Sequence, residues 1–112
     1  MNKQGTIGCL FRQGDVLLER IDEIPNGAKQ KDRDNGRVIL AYGEVTGHAH
    51  QIASPDEVGA MLSVAESATF LRLAKKAQLV HEEHATVDLP AGNYRVVQQS
   101  EYLYGQSVAV RD

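Results

Sequence analysis

All four histidines of the chain fall in two short stretches, His48-Ala49-His50 and His81-Glu82-Glu83-His84. An imidazole has an in-plane lone pair and titrates near neutrality, so it serves as a metal ligand, a proton carrier or a hydrogen-bonding group. On a β-strand, where side chains alternate between faces, the i, i+2 spacing of His48 and His50 sends both rings to one side. In a helical turn or tight loop the i, i+3 spacing of His81 and His84 does the same, with Cβ atoms about 5–6 Å apart. Two such clips brought together would offer three or four imidazole nitrogens to one divalent transition metal, zinc first, with iron, nickel or manganese as alternatives.

Carboxylates flank both pairs. Glu44 precedes His48 by four residues and is expected as a further metal ligand if the segment between Gly43 and Gly47 is extended. Glu82 and Glu83 lie inside the second pair and are candidates for a fourth ligand or for a general base acting on metal-bound water. Asp88 and Thr46 are candidates for holding the non-ligating ring nitrogens. Three histidines and an open position would suit catalysis on a small-molecule ligand, whereas four histidines that close the site would tie distant strands together. The other readings are two unconnected surface pairs, with His81-Glu82-Glu83-His84 a solvated polar turn between strands, and a metal-free role of the rings in acid–base chemistry or hydrogen bonding. Neither H-E-x-x-H nor C-x-x-C occurs, so zincin and zinc-ribbon readings fail. Cys9, between Gly8 and Leu10, is expected as a small apolar group rather than a nucleophile, and Gly5, Gly8 and Gly14 precede no capped helix that would cradle a phosphate.

The elements that must position these residues read as strands. Asp15 to Ile21 follows the turn-like Gly14-Asp15 and ends at Pro25-Asn26-Gly27. Ala28 to Gly36 is polar and reads as a loop, and Val38 to Tyr42 has the β-branched and aromatic content of a buried strand. Met61 to Ala65 and Thr69 to Leu73 are short apolar runs. From Ser67 through His81, alanine, leucine and lysine favour helix while Thr69-Phe70-Leu71-Arg72-Leu73 favours strand, and strand is expected. Thr86 to Leu89, Pro90-Ala91-Gly92-Asn93 and Tyr94 to Gln98 read as a β-hairpin, with a last strand from Tyr102-Leu103-Tyr104 or Ser107 to Arg111. Many short strands without βαβ alternation predict an all-β, single-domain antiparallel barrel or roll spanning residues 1–112.

Composition narrows the partners. The chain has 112 residues, 42% hydrophobic and 24% charged, which suits one soluble folded domain. A net charge of −3 supplies no basic face, so neither nucleic acid nor an anionic membrane surface is expected as a partner. The longest apolar run, Val38 to Tyr42, is far short of a membrane span. A single cysteine permits no internal disulfide, which favours a reducing, cytoplasmic setting.

The runs Gly43-Glu44-Val45-Thr46-Gly47-His48-Ala49-His50, His81-Glu82-Glu83-His84 and Leu89-Pro90-Ala91-Gly92-Asn93-Tyr94-Arg95-Val96 resemble a family of small uncharacterised proteins of bacteria and their phages. With Gln13-Gly14-Asp15-Val16 and Gln99-Ser100-Glu101-Tyr102 the likeness covers nearly the whole chain, and it implies no activity. His48-x-His50 and the Pro90-x-Gly92 turn are similar to parts of the cupin motifs, which implies a β-barrel with metal on three histidines and a glutamate. No histidine follows Gly92 here, and Glu57 is farther from His50 than the cupin glutamate. Gly14 to Arg20 with Arg37 to Gly43 looks somewhat like the β-barrel of co-chaperonins. A metal-free oligomeric or phage-accessory β module, assembling as a homo-oligomer, is the alternative to a metal-binding protein.

Overall fold

The computed structural model of the protein describes residues 7–43 and 45–99, and the backbone of 102–103 and 106–107. Ten strands build its two main sheets: β1 (Leu10–Gln13), β2 (Val16–Ile21), β3 (Lys29–Gln30), β4 (Ile39–Tyr42), β5 (Ala49–Ile52), β6 (Met61–Ala65), β7 (Ala68–Leu73), β8 (Ala77–Val80), β9 (Val87–Leu89) and β10 (Gly92–Gln98). One sheet runs in the order β1-β2-β10-β7-β6-β3 and the other β4-β5-β8-β9, with every pairing antiparallel. β11 (Tyr102–Leu103) and β12 (Gln106–Ser107) form a separate hairpin. Among the described residues no helix is long and apolar enough to cross a membrane.

The two sheets share one hydrophobic cluster. Val16 and Leu18 of β2, Leu71 and Leu73 of β7 and Tyr94 and Val96 of β10 meet Leu40 of β4, Ile52 of β5, Leu79 of β8 and Leu89 of β9. Along β2 the burial alternates between Val16 and Leu18 inward and Leu17 and Glu19 less buried, the period of two that a one-sided sheet requires. The stretch of mixed preference resolves as β7 and β8, because alternate residues such as Leu71, Leu73, Ala77 and Leu79 find the core only in extended backbone.

The hairpin expected around Pro90 is corrected. Both strands exist, but β9 pairs with β8 in the smaller sheet and β10 with β2 and β7 in the larger. Pro90-Ala91 is therefore a corner between sheets. Gly92 takes φ +143 there, in a region that L side chains rarely enter. The fully buried Tyr94 donates its hydroxyl back to the Pro90 carbonyl at 2.5 Å. Burial pushes that phenol up to about 12, so the hydroxyl stays a donor. Sequence reading also passed over β1, whose Gln13 and Gly14 turn out to matter most for the site.

Candidate functional site: an imidazole cluster at the seam between sheets

Three connections converge where the sheets meet. The β1–β2 hairpin has a two-residue loop, Gly14-Asp15, since Gln13 pairs with Val16. Gly14 sits at φ +58 in the first loop position, where hairpins of the II′ class take glycine. The β4–β5 connection holds His48, and His50 lies on β5 opposite Ala41. The loop after β8 carries His81 to His84. His48 thus stands in the turn before β5 rather than on a strand with His50, its amide bonded to the Val45 carbonyl.

All four rings nonetheless come together. Ring centroids are 4.3 Å apart for His50 and His81, 4.7 Å for His81 and His84, 5.8 Å for His50 and His84, and 6.0 Å for His48 and His81. Glycines make the approach possible. A Cβ at Gly14 would stand 2.6 Å from His84 Nε2, and one at Gly43 3.1 Å from His81 Nε2.

Hydrogen bonds define the state of two rings. The Gln13 amide nitrogen donates both its protons, to the Leu79 and Ala85 carbonyls at 2.9 Å each. Its oxygen is then the acceptor 2.9 Å from His50 Nδ1, so His50 carries its proton on Nδ1. His50 Nε2 faces Asp15 Oδ1 at 3.3 Å, and Asp15 Oδ2 accepts from Gln98 Nε2 at 3.0 Å. Burial, then the neighbouring His81, holds the His50 imidazole below its ordinary pKa against the pull of Asp15. His81 Nδ1 accepts the Glu83 amide N–H at 2.9 Å, which places its proton on Nε2. Burial and His84 lower its pKa as well.

The carboxylates have distinct partners. Glu82 accepts the Ala49 amide N–H at 3.0 Å, and this bond, with that of its own amide, keeps its pKa below the usual carboxylate value. Glu83 Oε2 lies 3.6 Å from His48 Nδ1, a buried nitrogen without a hydrogen-bond partner among the described residues. Asp88 accepts from Gln78 rather than from an imidazole, and Thr46 is exposed on its turn. Glu44 and Tyr104 lie outside the described residues.

The shared metal site expected on His48, His50, His81 and His84 is corrected. Among the described residues no group of three or more histidine, cysteine, aspartate and glutamate side chains is arranged to hold a metal ion. Ligation needs the in-plane lone pair of each ring aimed at one point about 2 Å away. Here His50 has protein atoms at both nitrogens and stacks on His84 with only 18° between planes, while the Nδ1 lone pair of His81 is taken by an amide.

A family model described as Domain of unknown function (DUF8820) matches residues 12–99. The chain belongs to this family. The DUF8820 match takes in Gln13, Asp15 and all four histidines, so the whole cluster lies within the family's domain. No curated protein and no solved structure matches the chain.

Gln13, Gly14, Asp15 and Gly43 are the parts of this site that motif reading missed as functional. The signal was present in Gln13-Gly14-Asp15-Val16, where a glutamine and an aspartate straddle the loop glycine at the end of a strand.

Proposed function

We propose that the chain is a small β-roll protein whose imidazole cluster works without metal as an acid–base and hydrogen-bonding site for a polar small molecule. The ring tautomers imposed by the surrounding bonds support this most. His50 is 1% exposed and gripped at Nδ1 by an amide that two carbonyls orient, so it is a fixed base for the rest of the cluster. His81 is half-buried, neutral because of its lowered pKa, and presents Nε2–H as a donor. Glu82 stays ionised on the Ala49 amide and supplies an anionic acceptor beside it. A neutral donor and an ionised acceptor, each preset by backbone, are what proton exchange with a bound polar group needs.

Long-range proton–nitrogen spectra of the imidazoles test the reading. The expected result at pH 7.5 is His50 in its Nδ1–H form and His81 in its Nε2–H form, with His81 taking up its proton below the ordinary imidazole range. Averaged tautomers on both rings, or a His81 that titrates like a free imidazole, would overturn it.

A further inference from the structure

The segment from His81 to Ala85 joins β8 to β9 and is tied down by three hydrogen bonds. The Glu82 carboxylate accepts the Ala49 amide N–H at 3.0 Å, the Ala85 carbonyl accepts from the Gln13 side chain at 2.9 Å, and between them the Glu83 amide N–H reaches His81 Nδ1 at 2.9 Å. These three bonds respond differently to acid. The bond to Ala85 contains no titrating group, and Glu82 is kept ionised below the usual carboxylate range by the bonds it accepts. Only the third depends on an imidazole lone pair.

Because Nε2 of His81 already carries a proton, a second proton goes to Nδ1, where it sets one N–H against the N–H of Glu83. An acceptor becomes a donor and the bond is lost. His50 behaves in the opposite way. Gln13 holds its Nδ1 proton, so a second proton goes to Nε2, 3.3 Å from Asp15 Oδ1, and adds attraction between the sheets. The cluster thus contains one contact that acid breaks beside one that acid keeps.

The surroundings of His81 favour release. Its ring lies 4.3 Å from that of His50, 4.7 Å from His84 and 6.0 Å from His48, so a charge placed on it meets imidazoles on three sides. Glu82 and Glu83 on its own loop oppose that charge, and Asp15 faces His50 from the β1–β2 loop. Arg12 of β1 adds positive charge at the Gly14 carbonyl, 3.3 Å away. Tyr42 of β4 is bonded to Asp34, and Asp88 of β9 to Gln78. Burial, then His84, holds the second proton of His81 off until the pH falls below the ordinary imidazole value.

We propose that a second proton on His81 is an off switch for the imidazole site. It breaks the Glu83 bond and frees Glu83 and His84 between the fixed anchors at Glu82 and Ala85, taking His84 from its stack on His50, while Gln13 and Asp15 keep the seam closed. Such a switch is a local change of charge that biases one two-state segment. It rests on the acid–base reading, whose His81 tautomer it uses.

Exchange of backbone amides with water from pH 7.5 to 5.0, corrected for the intrinsic pH dependence of exchange and followed beside the imidazole titrations, tests the switch. Protection of the Glu83 amide should fall about five- to tenfold, the worth of one hydrogen bond, with the midpoint of His81 itself. The Ala49 amide and the Gln13 side-chain amide should keep theirs. His81→Asn, whose side-chain oxygen can accept the same N–H and takes up no proton, should hold Glu83 protected down to pH 5.0. A His81 in its Nε2–H form that protonates with Glu83 protection unchanged would overturn the switch and leave the acid–base reading standing. Equal loss of protection at Ala49 and Gln13, or a pH response retained in His81→Asn, would also overturn the switch, and a His81 found as Nδ1–H at pH 7.5 would overturn both.

Discussion

Gln13→Leu is the most informative single change in the protein, because one buried amide joins the two sheets and orients the cluster. Gln13 is 2% exposed and makes three bonds of 2.9 Å, to Leu79 O, Ala85 O and His50 Nδ1. Leucine of similar volume leaves the Leu79 carbonyl and the His50 N–H unpaired inside the core, while the carbonyl of exposed Ala85 regains water. Two buried groups left unsatisfied cost about 2–6 kcal/mol together, and the added apolar burial returns about 1 kcal/mol. A net loss of about 3 kcal/mol is a large share of the 5–15 kcal/mol typical of a folded domain. With an m value of about 2 kcal/mol/M, the urea midpoint should fall by about 1.5 M. Circular dichroism and tyrosine fluorescence can follow it, since the chain has four tyrosines and no tryptophan. A midpoint lowered by less than about 0.5 M, a loss of about 1 kcal/mol at that slope, would refute the central place given to this amide.

Gly14→Ala should cost about 1–2 kcal/mol from the left-handed backbone alone and should displace the His84 ring, whose Nε2 lies 2.6 Å from the new Cβ; urea unfolding and the His84 resonances check both. His50 and His81 titrate lower in the fold than their ordinary 6.5. Unfolded chains therefore bind more protons below that pH, and stability should be complete above it and decline as pH falls through the folded values. The melting temperature should drop from pH 7.5 to 5.5, and His50→Asn with His81→Asn should flatten the profile; a rise on acidification would reverse the sign argued here. Replacing Glu66 and Ser67 by Asn and Gly should relieve two left-handed residues and stabilise the protein by about 1–2 kcal/mol, read as a higher melting temperature.

Most of the β character was legible in residue order, because buried strands concentrate β-branched and alternating apolar residues, as in Val16 to Ile21 and Met61 to Ala65. Pairing was less so. The segments on either side of Pro90 are strands, yet they belong to different sheets, and only the tertiary anchor of Tyr94 on the Pro90 carbonyl marks the corner. The site divides the same way. The rings of His48, His50, His81 and His84 do lie near one another, although His48 reaches the others from the turn before β5 and not from a strand shared with His50. What the rings do depends on where their nitrogens point. Gln13 from β1 and the Glu83 amide settle that for His50 and His81 across sequence separations that no local pattern records.

Metal content per chain tests the account most directly, measured on untagged protein purified without chelator or metal resin and then dialysed against micromolar zinc. Imidazoles held by Gln13, Asp15 and the Glu83 amide predict far less than one ion per chain and a melting temperature unchanged by a strong chelator. One tightly held ion per chain, with a marked fall in melting temperature on its removal, would contradict the metal-free reading.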